Sequence, residues 1–438
     1  MVKASVLKKI IYIEDALNSI FLEREELISL MMLTVFSKQN MFILGKTGIA
    51  KSQIVNVFSS LINNIKIFKY LLTKYTTPEE IFGPVSLVGL KNDRFVRKID
   101  NRLANVEIGF LDEIFKGNSS ILNSLLMIAN EKVYVNDLEV IKVPLISLFG
   151  ASNEVPDDEE MDDLQALYDR FTIKYISEPI KYFKNFTSML LAEDDPAKIK
   201  AGINSDLLLD LDDLEYVFSA SQEIKLELAV INVLYKMREF CQENNYYISD
   251  RKFKNIVRIL KVCAFINNRA SIKVEDLFIV PFMAWEQPED YNIIRKGLDS
   301  IIIASIFNNI LSNISMNISD DFDHVIKDLI SNTRALHGDY IKCYSYLKES
   351  QKKNLYIQHG LIKEYIYKLN KIINQLELEL ANYSNQKEYL KITNLFKLKV
   401  ESTILDRLDN FKIYYDELKM LDDKVSKALL EEDHNDIY

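Results

Sequence analysis

A chain of 438 residues is too long for one compact core, so two or three domains are expected, each able to bury a normal interior. Its 48% hydrophobic and 27% charged residues exclude a largely disordered protein. With 54 Lys plus Arg against 64 Asp plus Glu, the formal charge is −10, which leaves no footprint for phosphate backbones or anionic lipid and disfavours nucleic acid as a partner.

The first third alternates short apolar runs with helical patterns, as strands joined by crossover helices in a mostly parallel sheet do. The expected strands are Met41–Gly45, Ile67–Thr73, Val106–Asp112, Leu145–Asn153 and Phe171–Ser177. Two further pieces, 85–99 and 132–143, each hold strand-like runs around an Asn-Asp pair and predict two inserted hairpins. From about residue 205 to 290, apolar spacings of three and four predict an all-helical domain. Beyond it, Ile362, Leu369, Ile373, Leu376 and Leu380 form one apolar stripe and Ile404, Leu408, Phe411, Leu418 and Val425 another. Two antiparallel helices, packed with an earlier one from about Asp320 to Leu336, are the simplest account.

Cys241, Cys263 and Cys343 are widely spaced without a C-x-x-C pair, which argues against a disulfide framework or a zinc site. The four histidines all lie in the last third, so histidine catalysis has no support. Acidic residues interrupt the N-terminal apolar pattern, and no stretch reaches the roughly 18 apolar residues of a membrane span. The expectation is a cytoplasmic protein with no integral membrane segment.

The chemistry concentrates at three strand ends. Gly45-Lys46-Thr47-Gly48-Ile49-Ala50-Lys51-Ser52 follows one strand and opens a helix at Gln53, the context of a phosphate-binding loop. Backbone N–H groups and the helix dipole face phosphate oxygens there, Lys51 meets the outer phosphates and Ser52 ligates magnesium. The departure is Ala50, where the general pattern has glycine. Val106-Glu-Ile-Gly-Phe-Leu-Asp112-Glu113 ends in two acids: Asp112 can hold magnesium through water while Glu113 polarises the attacking water. Asn153, closing the next strand, can orient that water or a phosphate oxygen.

With these motifs in order, the chain resembles AAA+ ATPases of the MoxR family, closest to the RavA subgroup. The resemblance is carried also by Phe21-Leu-Glu-Arg-Glu-Glu26, Thr77-Pro-Glu-Glu-Ile-Phe-Gly-Pro84, Leu167-Tyr-Asp-Arg-Phe171 and Ser249-Asp-Arg-Lys252. It covers roughly residues 5 to 290, and the phosphate loop with Ala50 is similar to the family's own form. It implies an α/β fold: an αβα phosphate-loop core with a parallel sheet at 1–190, an all-α lid at 205–290 and a helical, coiled-coil-like C-terminal domain at 291–438. It implies ATP and Mg2+, a hexameric ring, Arg170 as the finger reaching a neighbour's γ-phosphate, and Arg251 as the sensor on the lid. The two hairpins are similar to inserts that line the pore or face a partner in such rings. The function implied is ATP hydrolysis coupled to chaperone-like remodelling or activation of a partner, such as a protein with a von Willebrand factor A domain. The alternatives are a nucleotide-gated scaffold, and a nucleic-acid motor that the acidic balance disfavours. The gap between the two long helices is too short for the small domain that some RavA-like proteins insert there, and the expected role of the extension is partner recruitment by a protruding hairpin.

Overall fold

The computed structural model describes residues 2–156, 166–191, 204–312, 326–335 and 349–435. Cys343 and the outer ends of the expected Asp320–Leu336 helix lie outside them. Two helices, α1 (Val2–Ile20) and α2 (Glu25–Phe36), precede the first strand, and α2, apolar on nearly every face, is buried from Leu27 to Phe36.

Five strands follow in the order β2 (Ile67–Leu71), β3 (Ile108–Asp112), β6 (Ser147–Ser152), β1 (Met41–Leu44) and β7 (Ile173–Ile176), every neighbouring pair parallel. β1 and β6 are buried at every position, which is why they read as continuous apolar runs and not as alternating ones. The register aligns Leu44 with Ser152 and Ile176, and Leu71 with Asp112. All five carboxyl ends therefore share one edge, where open parallel sheets bind ligands. Around the sheet run α3 (Lys51–Ser60), α4 (Pro78–Phe82), α5 (Leu87–Lys91), α6 (Ser119–Glu131) and α7 (Phe183–Leu191).

Of the two expected hairpins, 132–143 forms one, pairing β4 (Val133–Asn136) with β5 (Glu139–Lys142) across an Asp137 turn with φ 62°. The other, 85–99, does not. Its first run becomes α5, because Ser86 accepts from the Gly89 N–H as an N-cap and Asp93, with φ 52°, turns the chain just past the helix. Only the Val85–Arg97 bridge remains of a ladder. The two inserts are stitched together: Arg94 pairs with Asp137, and the Asn136 amide accepts from the Arg97 N–H at 2.7 Å and donates to its carbonyl at 3.1 Å.

The helical section after the sheet comprises α8 (Leu211–Ser221), α9 (Leu228–Glu243), α10 (Asp250–Ile266) and α11 (Pro281–Ala284). α12 (Tyr291–Ser312) follows it. Among the described residues no helix is long and apolar enough to cross a membrane.

The chain divides into two compact units. The first runs through Ile302 and includes Glu388–Phe396; the second holds the described residues from Ile303 to Lys387 and from Lys397 onward. In the second, α14 (Glu349–Asn385) and α15 (Lys391–Asn435) run antiparallel after α13, described over residues 326–335. His359 meets Asp422 at 2.8 Å, Glu377 meets Lys412 at 2.7 Å and the Ser384 carbonyl accepts from Lys397, so rising numbers face falling ones. Residues 386–390 are the whole link, which leaves no inserted domain.

That link is not a free tip. Residues 388–396 are built into the first unit. Both oxygens of the buried Glu14 accept from the Lys391 N–H at 3.1 Å, Ser29 Oγ accepts from Ile392, and Asn267 Oδ1 accepts from Tyr389 and Leu390. These side chains satisfy amide donors at and before the start of α15 that have no partner within the helix. Arg269, held by two 2.7 Å bonds to Asp276, also meets Glu388, and Leu390 and Ile392 are fully buried. The turn expected between the two long helices thus belongs to the first unit.

Candidate functional site

The loop after β1 is shaped by two glycines and one alanine. A side chain at Gly45 would run into Ile49 and the Ser177 carbonyl, and Gly48 adopts φ 85°. Ala50 also sits in the left-handed region, φ 63° and ψ 17°, directly before α3. That conformation explains why the general pattern has glycine there, and it costs the alanine about 1 kcal/mol.

Lys51 is the buried centre of the site. Its ammonium donates to the Gly45 carbonyl, to the Ser152 carbonyl at 3.0 Å and to Asn153 Oδ1 at 3.1 Å, so it ties the loop to the end of β6. Burial lowers its pKa, and the charges of Asp112 and Glu113 pull it back up. Ser52 and Gln53 follow on the first turn of α3. Asp112 closes β3 and its Oδ1 accepts from the Glu113 N–H at 3.1 Å. Glu113 is 8% exposed, with φ 52°, and its Oε2 lies 3.1 Å from Lys116 Nζ. Backbone held in such a sparsely populated region clusters at functional sites. The donor set fits a magnesium nucleotide: one lysine, loop and helix N–H groups, a hydroxyl and two carboxylates.

Beside the loop lies a cavity of about 470 Å³ walled by Phe21, Leu22, Pro179, Ile180, Phe186 and Leu190 against Gly48, Ile49, Ala50 and Gln53. Sequence reasoning missed this wall because its parts are scattered. The signal present was Phe21-Leu-Glu-Arg-Glu-Glu26, whose Glu23 carboxylate accepts from the Lys181 and Tyr182 N–H groups while Arg24 donates to the Glu178 carbonyl at 2.8 Å.

Arg170 and Arg251 are not with this group. The Arg170 carbonyl accepts from Asn40, the residue before β1, so Arg170 marks the amino edge of the sheet. α10 reaches the same edge: Ser249 caps it through the Lys252 N–H, and Asn255 donates to Thr172 at 3.4 Å. Both arginines line one cavity of about 680 Å³, in which no phosphate-loop residue takes part. Burial, and then the nearby Arg251 charge, lower the Arg170 pKa, while Asp169 at 3.3 Å opposes this. Behind them lie two lysines: Lys252, the last residue of the Ser249–Lys252 motif, and Lys174, which sequence reasoning missed. Lys174 is fully buried in β7, donating to the Trp285 carbonyl at 2.9 Å with the Tyr168 ring 3.7 Å away, and Lys252 of α10 is buried with it. A charged residue inside an apolar strand run was the available sign.

A family model described as the MoxR domain of MoxR-vWA-beta-propeller ternary systems matches residues 8–208, and an AAA lid domain model matches 229–298. An uncharacterized protein of Methanocaldococcus jannaschii is 35% identical over 92% of this chain and 99% of its own length. The chain belongs to the MoxR family of AAA+ ATPases. Another uncharacterized protein of the same organism is 33% identical over 86% of this chain and 98% of its own. A crystal structure described as a candidate ATPase of Cytophaga hutchinsonii shares the fold at TM-score 0.53, with 15% identity, covering 69% of this chain and 95% of that one. The MoxR match runs from within α1 through α7, and the lid match covers α9 to α11 and the start of α12.

Proposed function

We propose that this chain hydrolyses ATP as one subunit of a hexameric ring and couples turnover to chaperone-like remodelling or activation of a partner protein. The observation that carries the reading is the separation of the two halves: loop, Asp112, Glu113 and Asn153 at one sheet edge, Arg170 and Arg251 at the other. A ring brings one subunit's amino edge against the next subunit's loop, so both arginines act on a neighbour's nucleotide. For Arg251 this differs from a sensor reading its own subunit's ATP.

Within one subunit the loop amides and Lys51 hold the phosphates, and Glu113 takes a proton from the attacking water that Asn153 orients. Magnesium, when bound, would add positive charge at the outer phosphates, with Ser52 and Asp112 to hold it. The cavity beside Gly48 suits the adenine ring, flat and apolar on both faces. The partner is a protein with a von Willebrand factor A domain, by analogy with the systems after which the matching model is described. Within the family the chain stands nearest the RavA subgroup, without its inserted domain.

The test compares Lys51→Ala with Glu113→Gln. The first loses nucleotide binding; the second keeps it and loses at least about 100-fold in phosphate release. Steady-state hydrolysis surviving in Glu113→Gln would remove the assignment.

A further inference from the structure

The cavity at the amino edge carries more positive charge than two arginines. Seven basic and four acidic side chains line it, on a chain whose formal charge is −10. Among the described residues two of the seven are matched: Lys38 with Glu215 at 2.6 Å and Arg170 with Asp169 at 3.3 Å. Lys132 has no carboxylate within ion-pair distance among the described residues. It follows α6 with φ 55°, and its ammonium is offered one acceptor, the Ile146 carbonyl at 3.4 Å. Burial pushes it down to about 8. Lys132 is only part-buried on the cavity wall, and one long contact leaves most of its ammonium's donor capacity open to a ligand there.

Its position is fixed by Asn40. The Nδ2 of that amide donates to the carbonyls of Ala129, in the last turn of α6, and Arg170, each at 3.2 Å. Three residues beyond Ala129 the chain reaches Lys132. On the other side Thr172, two residues past Arg170, accepts from Asn255, one turn beyond Arg251. The end of α6, the Arg170 turn and the first turn of α10 thus converge on the same cavity.

We infer that Lys132 is a third cation of the shared site, contacting the outer phosphates of the nucleotide held by the neighbouring subunit. A triphosphate supplies the anionic oxygens that the cavity's acids do not. The assignment rests on the reading of Arg170 as acting across the subunit interface. It makes Lys132 a catalytic residue in trans and leaves its own subunit's loop untouched.

The experiment uses full-length Lys132→Gln, which keeps a donor for the Ile146 carbonyl and removes the charge. Its kcat should fall at least about 10-fold, while ATP affinity measured on the variant alone stays within about 2-fold. Mixed with Glu113→Gln subunits it should regain activity above the sum of the two separate preparations, since each supplies the half that the other lacks. Arg170→Ala is mixed with Glu113→Gln in parallel. If that pair complements while Lys132→Gln is fully active or merely additive, the Lys132 assignment falls alone; if neither pair complements, the interface reading falls with it. Lys132→Met repeats the comparison should the Gln variant fail to fold, and full activity in a folded Met variant overturns the proposal equally.

Discussion

The two edges of one sheet handle positive charge in opposite ways. At the carboxyl edge Lys51 is surrounded by acceptors of its own chain, with Asp112 and Glu113 nearby. At the amino edge Lys132 and Arg251 have no acid within ion-pair distance among the described residues, and Arg170 has only Asp169. The carboxyl edge supplies the acceptors and acids for its own lysine. Among the described residues the amino edge supplies fewer acids than bases, and the proposed ring would meet that excess with a neighbour's phosphates.

The sharpest break of that comparison is to remove the arginines. Arg170→Ala should lose on the order of 1,000-fold in kcat, and Arg251→Ala about 100-fold, with nucleotide affinity kept. Each should recover activity when mixed with Lys51→Ala subunits. Strictly additive activities would mean that the amino edge does not act in trans.

A smaller effect contrasts both edges with the link seated in the first unit. Burial raises the Glu14 pKa from 4.5 to about 7, against the pull of the Ser29 hydroxyl, the Lys391 N–H and the Lys391 charge, with Asp15 adding to the rise. The folded chain keeps that proton up to about pH 7, whereas the unfolded chain releases it near 4.5. This contribution is therefore largest below pH 4.5 and is lost as pH rises to 7, by about 3 kcal/mol. Glu14→Gln should flatten that part of the melting-temperature profile while leaving Lys51 chemistry alone. An unchanged profile would mean that Glu14 is solvated.

The smallest effect belongs to the carboxyl edge. Ala50→Gly relieves the left-handed strain but frees the unfolded chain, so stability should rise by no more than about 1 kcal/mol. A loss of stability, read by thermal melting, would show that the Ala50 methyl packs usefully against the loop.

The carboxyl edge was legible because its determinants are local: a loop, a helix start and strand ends lie within a few residues of each motif. The piece at 85–99 misled because its Asn-Asp pair is a turn signal for hairpins and helix ends alike, and the Ser86 cap decided between them. Where Arg251 points depends on α10 docking through Lys252 and Asn255, which no local pattern records. The seat of residues 388–396 was illegible for the same reason. Glu14 reads as a break in an apolar helix until Lys391, 377 residues away, is in place.

The return of the chain to its first unit sets a timetable for biosynthesis. Residues 388–396 emerge from the ribosome long after Ile302; at about 5–20 residues per second the intervening ~86 residues take roughly 4–17 s to make. Until then Glu14, Ser29 and Asn267 lack the amide donors they hold in the finished protein. A chain that stops early keeps that seat open, so a polypeptide ending after Glu289 should be recovered with lower solubility and a lower melting temperature than the full chain. Occupation of the seat thus reports, within the first unit, that synthesis has passed residue 396.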